Sequence, residues 1–279
     1  MLTPPLTDSQ YLTHLLNTHG IKPTASAGQN FLICSEPIEA IISTLTRTPS
    51  NITELGAGLG PLTQALLAHK FKVKAIEQDQ QLASILLKLS STKLKKSLEL
   101  IVDDLKNTDW TWPTPYQLVG NIPYNLSGLI LRRLTTLNPA PAQAILLVQQ
   151  EVGERLTASP PNMNLLGLAV QAWGSTSALL NIPANCFLPA PKVNSQLILM
   201  IPHTDNAIPM KTREGIIKLA KGFFQNRRKQ MLGTLVKTRQ LERSQAEAIL
   251  KNANIKPAQR PQELALKQWQ QLFSVINKK

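Results

Sequence analysis

Between residues 52 and 149 the chain alternates short apolar runs with stretches whose apolar residues recur at helical spacing. Residues 52–55, 73–76, 98–102, 117–120 and 144–149 read as buried strands, rich in Ile, Val and Leu and bounded by polar or glycine-containing turns. Residues 61–69, 81–89 and 129–137 fit the helical period between them. Such alternation predicts an α/β fold with a largely parallel sheet. Upstream, a helix is expected over 11–19, with Leu12, Leu15 and Leu16 on one face. Another is opened by Ser35-Glu36-Pro37, with Ser35 as N-cap and Ile38, Ile41, Ile42 and Leu45 inward. Gly28-Gln29-Asn30-Phe31-Leu32 lies between them and is readable as a simple helix start. Downstream, 151–158 and 165–173 are short helices, and 178–182 and 196–201 form a closing pair of strands. The strand pattern stops near 202–209, and only helical segments follow, over 211–226, 228–238, 244–252 and 261–277. The domain boundary is therefore placed after residue 203, giving a sheet domain of 1–203 and a helical domain of 204–279.

Charge sharpens that division. The net charge is +13, yet residues 211–279 carry sixteen lysines and arginines against four acidic residues, a net of +12. An excess confined to the last quarter points to a polyanionic partner rather than to general solubility. Phe223-Phe224-Gln225-Asn226-Arg227-Arg228-Lys229 concentrates it: aromatic anchors beside three consecutive cations able to contact phosphates. At 279 residues and 43% hydrophobic content the chain can bury a sizeable core. The first ten residues show no secretory pattern and residues 144–148 are too short a run to cross a bilayer, so a soluble cytoplasmic protein is expected. Cys34 and Cys186 have no CxxC spacing and are expected to be reduced thiols. The four histidines form no ligand motif, so no metal is expected.

Candidate chemistry sits in two places. Gly56-Ala57-Gly58-Leu59-Gly60 follows a strand, opens a helix, and is followed about twenty residues on by Glu77 at the tip of the next strand. An acid at that position can bind a ribose diol. The third glycine comes one position early for a dinucleotide fingerprint, and Pro61 stands where its last glycine should be. The pattern suits a nucleoside without a pyrophosphate, such as S-adenosylmethionine. Asp103 or Asp104, at the end of the third strand, could accept from the amino group of its adenine. The second place is Asn121-Ile122-Pro123-Tyr124, where a strand ends in a loop that Pro123 keeps out of the helical region. A fixed carboxamide beside a stacking ring suits a planar base with an exocyclic amino group.

Taken in order, Gly28-Gln-Asn-Phe-Leu32, Glu54-Leu-Gly-Ala-Gly-Leu-Gly60, Glu77-Gln-Asp79, Asn121-Ile-Pro-Tyr-Asn125, Phe187-Leu-Pro-Ala-Pro-Lys-Val-Asn-Ser195 and Phe224-Gln-Asn-Arg-Arg-Lys229 resemble the motifs of the small-subunit rRNA adenine N6,N6-dimethyltransferases. The resemblance runs from about residue 12 to 272. It implies a Rossmann-like class I S-adenosylmethionine-dependent methyltransferase sheet with a small all-helical C-terminal domain. It also implies dimethylation of two adjacent adenosines in a hairpin near the 3′ end of 16S rRNA, on the immature 30S subunit; nothing in the sequence suggests more than a monomer. Asn30, Leu32, Gly56, Gly58, Glu77, Asp103 and Asn121 would then contact the cofactor. Asn121, Pro123 and Tyr124 would act on the target base, with Phe187 or Phe31 as a further ring. Phe187, Lys192, Arg227, Arg228 and Lys229 would meet the RNA. The chain departs from the family at Thr24-Ala25-Ser26-Ala27, where basic residues are usual, at Asn194 in place of Asp, and at Leu166 in place of Tyr. Rival readings are a 23S rRNA methylase and a non-catalytic RNA-binding assembly factor; the intact Asn121 loop and Glu77 argue against the latter, and Pro61 against a NAD-dependent oxidoreductase.

Overall fold

A computed structural model describes residues 6–23, 28–204 and 207–277. Thr24-Ala25-Ser26-Ala27, the non-basic departure, lies outside them. Among the described residues there are nine strands: β1 (Phe31–Leu32), β2 (Asn51–Leu55), β3 (Lys72–Glu77), β4 (Leu98–Val102), β5 (Gln117–Asn121), β6 (Ala144–Gln149), β7 (Gly174–Ile182), β8 (Phe187–Leu188) and β9 (Ser195–Pro202). Seven make one sheet in the order β4-β3-β2-β5-β6-β9-β7; β1 and β8 make a separate two-stranded ladder. The β2–β3, β3–β4, β2–β5 and β5–β6 pairs are parallel and β6–β9 is antiparallel. Parallel neighbours demand crossovers, and the helices Pro61–Ala68, Gln80–Leu89 and Ser127–Leu134 supply them.

The order reverses between β2 and β5, so the loops after these two strands diverge and leave a crevice at their carboxyl ends, where open α/β sheets bind ligands. Gly120 permits the close pairing there, because a Cβ on it would lie 2.7 Å from the Leu55 carbonyl oxygen. Ile52, Leu55, Val73, Ala75, Val119, Ile145 and Leu147 are fully buried between the helical layers.

The chain divides into two compact units: Met1–Gly153 with Ser177–Pro202, and Glu154–Thr176 with His203–Lys279. Residues 154–176, placed by pattern in the first domain, therefore cluster with the helical unit. The reason is packing: Met163 and Leu168 belong to the hydrophobic core formed by Ile216, Phe223, Leu235, Leu250 and Trp269. Phe223 meets Trp269 edge-on at 5.6 Å and Phe224 stacks on it at 5.7 Å. Beside the Leu166 departure, Gly167 has a clear role, since a Cβ there would lie 2.5 Å from the Arg155 carbonyl oxygen.

Three local expectations are corrected. Gly28–Leu32 does not start a helix; Phe31 and Leu32 form β1 and pair with Leu188 and Phe187. Ser35 occupies the N-cap position of Glu36–Thr44, but its side chain makes no capping bond. Cys34 and Cys186 are disulfide-bonded, not free thiols. The β1–β8 ladder is what brings their Cα atoms to 5.1 Å, within disulfide reach, although 152 residues separate them in the chain. Among the described residues no helix is long and apolar enough to cross a membrane, and no cluster of His, Cys, Asp or Glu could hold a metal ion.

Candidate active site

A cleft opens at the carboxyl ends of β2, β3 and β5. Its lining includes Asn30, Leu32, Gly56, Gly58, Glu77 and Asn121, each expected from the sequence. Gly56 and Gly58 take φ values of +73° and +57°, the left-handed region where side chains are strained, so the turn can present its backbone. Phe31 lies against the second of these, 3.3 Å from where a Cβ would stand.

Glu77 is pre-oriented. One carboxylate oxygen accepts the Gly58 N–H at 2.8 Å and the other accepts the Asp79 N–H at 2.9 Å. Burial pushes its pKa up, and those backbone donors pull it partly back. Asp79 caps the helix Gln80–Leu89 through the Gln81 and Leu82 N–H groups and also accepts from Gln29 Nε2 at 3.2 Å. The loop bearing Asn30 is thereby tied to the tip of β3. Beneath them Glu54 is fully buried, with the Thr63 hydroxyl donating to it at 2.6 Å. Desolvation raises its pKa to about 8, with the neighbouring Glu77 charge adding to the shift.

The β5 loop interlocks with the same segment. Asn121 Nδ2 donates to the Asn30 carbonyl oxygen at 2.9 Å, which fixes the amide and orients its Oδ1 away from that contact. Gly28 sits on Pro123 so closely that a Cβ would be 2.5 Å from the proline Cβ, and its φ is +68°. Pro123 has the extended φ and ψ of −56° and 126°, and its carbonyl oxygen accepts the Leu126 N–H at 2.9 Å as a 3₁₀ turn begins at Tyr124. Tyr124 is half-buried, its hydroxyl 2.5 Å from Ser195 Oγ.

Other expected residues stand elsewhere. Neither Asp103 nor Asp104 lines the cleft. The Asp103 carboxylate accepts the Asp104 N–H at 2.7 Å, and that of Asp104 accepts the Lys106 N–H at 2.9 Å. Asp103 N donates to the Glu77 carbonyl oxygen at 3.1 Å, which holds this exposed residue beside the β3 tip. Phe187 is not a surface ring: it is 2% exposed, packed in the main core beside Leu32. Pairing of β8 with β1 turns it inward, so it packs in the core instead of presenting a surface ring. Lys192 is exposed, and so are Arg227, Arg228 and Lys229 in the turn before the helix Met231–Arg239. Asn194, the departure from the family's Asp, accepts the Ala184 N–H through its Oδ1 at 3.1 Å.

Pattern reading missed Gln78, Leu82, Leu105 and Leu126, all of which line the cleft. Gln78 could have been found as the neighbour of Glu77. Leu105 depends on tertiary structure: Arg133 stacks over the Trp110 ring at 4.4 Å and donates to the carbonyl oxygens of Leu105 and Thr108.

A mostly parallel sheet with this glycine turn, a braced acid on the next strand and an Asn-Ile-Pro-Tyr loop at its switch point defines a Rossmann-like, S-adenosylmethionine-dependent methyltransferase. The residues fit that cofactor: Glu77, oriented by two backbone donors, can accept from a ribose diol, and Gly56 and Gly58 keep side chains off the turn at two positions where a nucleoside would approach. The profile of the ribosomal RNA adenine dimethylase family matches residues 21–278, and the chain belongs to that family. Ribosomal RNA small subunit methyltransferase A of Dehalococcoides mccartyi strain CBDB1 is 29% identical over 264 residues, covering 92% of this chain and 90% of that protein. Among solved structures, a dimethyladenosine transferase from Plasmodium falciparum superposes with a TM-score of 0.75 at 22% identity, over 89% of this chain and 98% of that one. The 23S rRNA methyltransferase ErmE gives 0.72 at 22% identity, over 89% and 100%. Both structural likenesses are of fold.

Proposed function

We propose that this chain dimethylates N6 of two adjacent adenosines in a hairpin near the 3′ end of 16S rRNA, acting in the cytoplasm as a monomer on the immature small ribosomal subunit. The observation that carries the reading is the Asn121 to Asn30 hydrogen bond, which pins the Asn121 side-chain amide at the switch point and directs its acceptor oxygen. The small-subunit name of the Dehalococcoides relative supports 16S over 23S rRNA.

S-adenosylmethionine, when bound, supplies an electrophilic methyl group on a sulfonium that departs as a neutral thioether. The chain would hold it through the backbone at Gly56 and Gly58 and through Asn30, Leu32 and Glu77, all of which line the cleft. Asn121 Oδ1 accepts one N6 hydrogen of the target adenine. Pro123 O accepts the other with the lone pair that the Leu126 N–H leaves over. Together they draw the nitrogen lone pair out of ring conjugation. Tyr124 stacks on the extruded base. The methylated nitrogen, now cationic, gives up its acidic N–H proton to water, so no strong base is required and most of the rate comes from positioning. Lys192, Arg227, Arg228 and Lys229 take RNA phosphates, and the helical unit is the RNA-binding domain.

The test is methyl transfer from labelled S-adenosylmethionine to small subunits of a strain lacking the modification, with large subunits as control. Dimethyladenosine confined to 16S rRNA is expected. Label in 23S rRNA would move the protein to the resistance methylases, and cofactor binding without transfer would make it an assembly factor.

A further inference from the structure

We propose that Ser195 is a positioning residue for this methyl transfer, its hydroxyl anchoring Tyr124 so that the aromatic ring meets the target base at one fixed angle. The inference rests on the stacking role given to Tyr124 above.

Tyr124 begins a 3₁₀ turn whose backbone is already committed. The Pro123 carbonyl accepts the Leu126 N–H at 2.9 Å, and the Tyr124 carbonyl accepts the Ser127 hydroxyl at 3.0 Å. What remains adjustable is the ring, which swings about two side-chain torsions. The tether is at its far end: Tyr124 Oη and Ser195 Oγ are 2.5 Å apart, across 71 residues of sequence. Ser195 is itself immobile. It is completely buried and pairs with Gln149 in the β6–β9 ladder. The residue before it is held twice, its carbonyl accepting the Gln150 N–H at 2.9 Å and its side chain the Ala184 N–H at 3.1 Å. The tether therefore refers the ring to the start of β9, a strand of the same sheet that carries Asn121 on β5. Burial also pushes the Tyr124 hydroxyl pKa upward, so it stays a neutral donor and acceptor. This explains why the position holds a tyrosine. A phenylalanine would stack as well but could not be fixed.

Ser195→Ala and Tyr124→Phe each remove the tether while keeping the ring. Each is expected to lower kcat by ~10- to 100-fold, the scale of a small misplacement at a reacting centre. Cofactor affinity, measured by calorimetry, should stay within about twofold, because Ser195 is not among the residues that line the cleft. The double variant should lose no more than either single one, since both act through one bond. If Ser195→Ala does not fold, Tyr124→Phe carries the same expectation with Ser195 intact. Either variant retaining kcat within about twofold, or losses that multiply in the double variant, would overturn the proposal. Failure of the functional reading is separate: the wild-type protein would then form no dimethyladenosine at all.

Discussion

The cofactor cleft and the basic turn are built on opposite physics. In the cleft the key polar groups are held by others: Asn121 by Asn30, Glu77 by Gly58 and Asp79, Glu54 by Thr63, Gln29 by Asp79. In the turn Arg227, Arg228 and Lys229 simply stand in solvent. The first arrangement stores its function in geometry, so removing one member disturbs the rest. The second stores it in charge, which acts at a distance and sums over many residues. Damage to the cleft should therefore be close to all-or-none, and damage to the turn incremental and salt-dependent.

The largest effect is expected at Asn121. Asn121→Ala removes both the N6 acceptor and the bond that ties β5 to the Gly28 loop, and should cut methyl transfer by about 10³-fold or more. Cofactor affinity should fall far less, because Glu77 keeps its backbone donors. Full activity in Asn121→Ala, measured with saturating RNA, would sink the assignment and with it the claim that the cleft works as a unit.

A smaller effect tests the buried carboxyl. The folded pKa of Glu54, about 8, lies above its ordinary value of 4.5. The stability it contributes is therefore present below 4.5 and is lost as pH rises toward 8. The slope on this account is ~1.4 kcal/mol per pH unit at most. Glu54→Gln keeps an acceptor for Thr63 and removes the titration, so its unfolding free energy should be flatter across that window. Parallel urea curves for both proteins at pH 5 and pH 8 check this; identical pH dependence would mean that the carboxyl ionises without cost.

How much of this was legible in the sequence follows the same contrast. The β2–turn–helix–β3 unit and Glu77 could be read because local backbone geometry fixes their spacing. The Asn121 loop could be read because Pro123 restricts it. The basic turn was legible from charge alone. What stayed hidden depends on contacts between distant segments. The β1–β8 ladder is two residues long on each side and has no periodicity to reveal it, yet it buries Phe187 and joins Cys34 to Cys186. Residues 154–176 look like more of the sheet domain's helices until their partners, more than forty residues downstream, are known. The tether between Tyr124 and Ser195 is hidden for the same reason, although each residue lies in a motif legible on its own.

The smallest effect is expected in the turn, and it sharpens the comparison most. If Arg228 contacts one phosphate, Arg228→Ala should lower the slope of log affinity against log salt by about 0.7 to 0.9. RNA binding should weaken several-fold at low salt and hardly at all at high salt. The rate with saturating RNA should be unchanged, since nothing in the cleft refers to this side chain. A loss of kcat instead, at unchanged salt slope, would show that the turn shapes the reacting geometry as the cleft does. The division between a site made of fixed bonds and one made of summed charge would then fail.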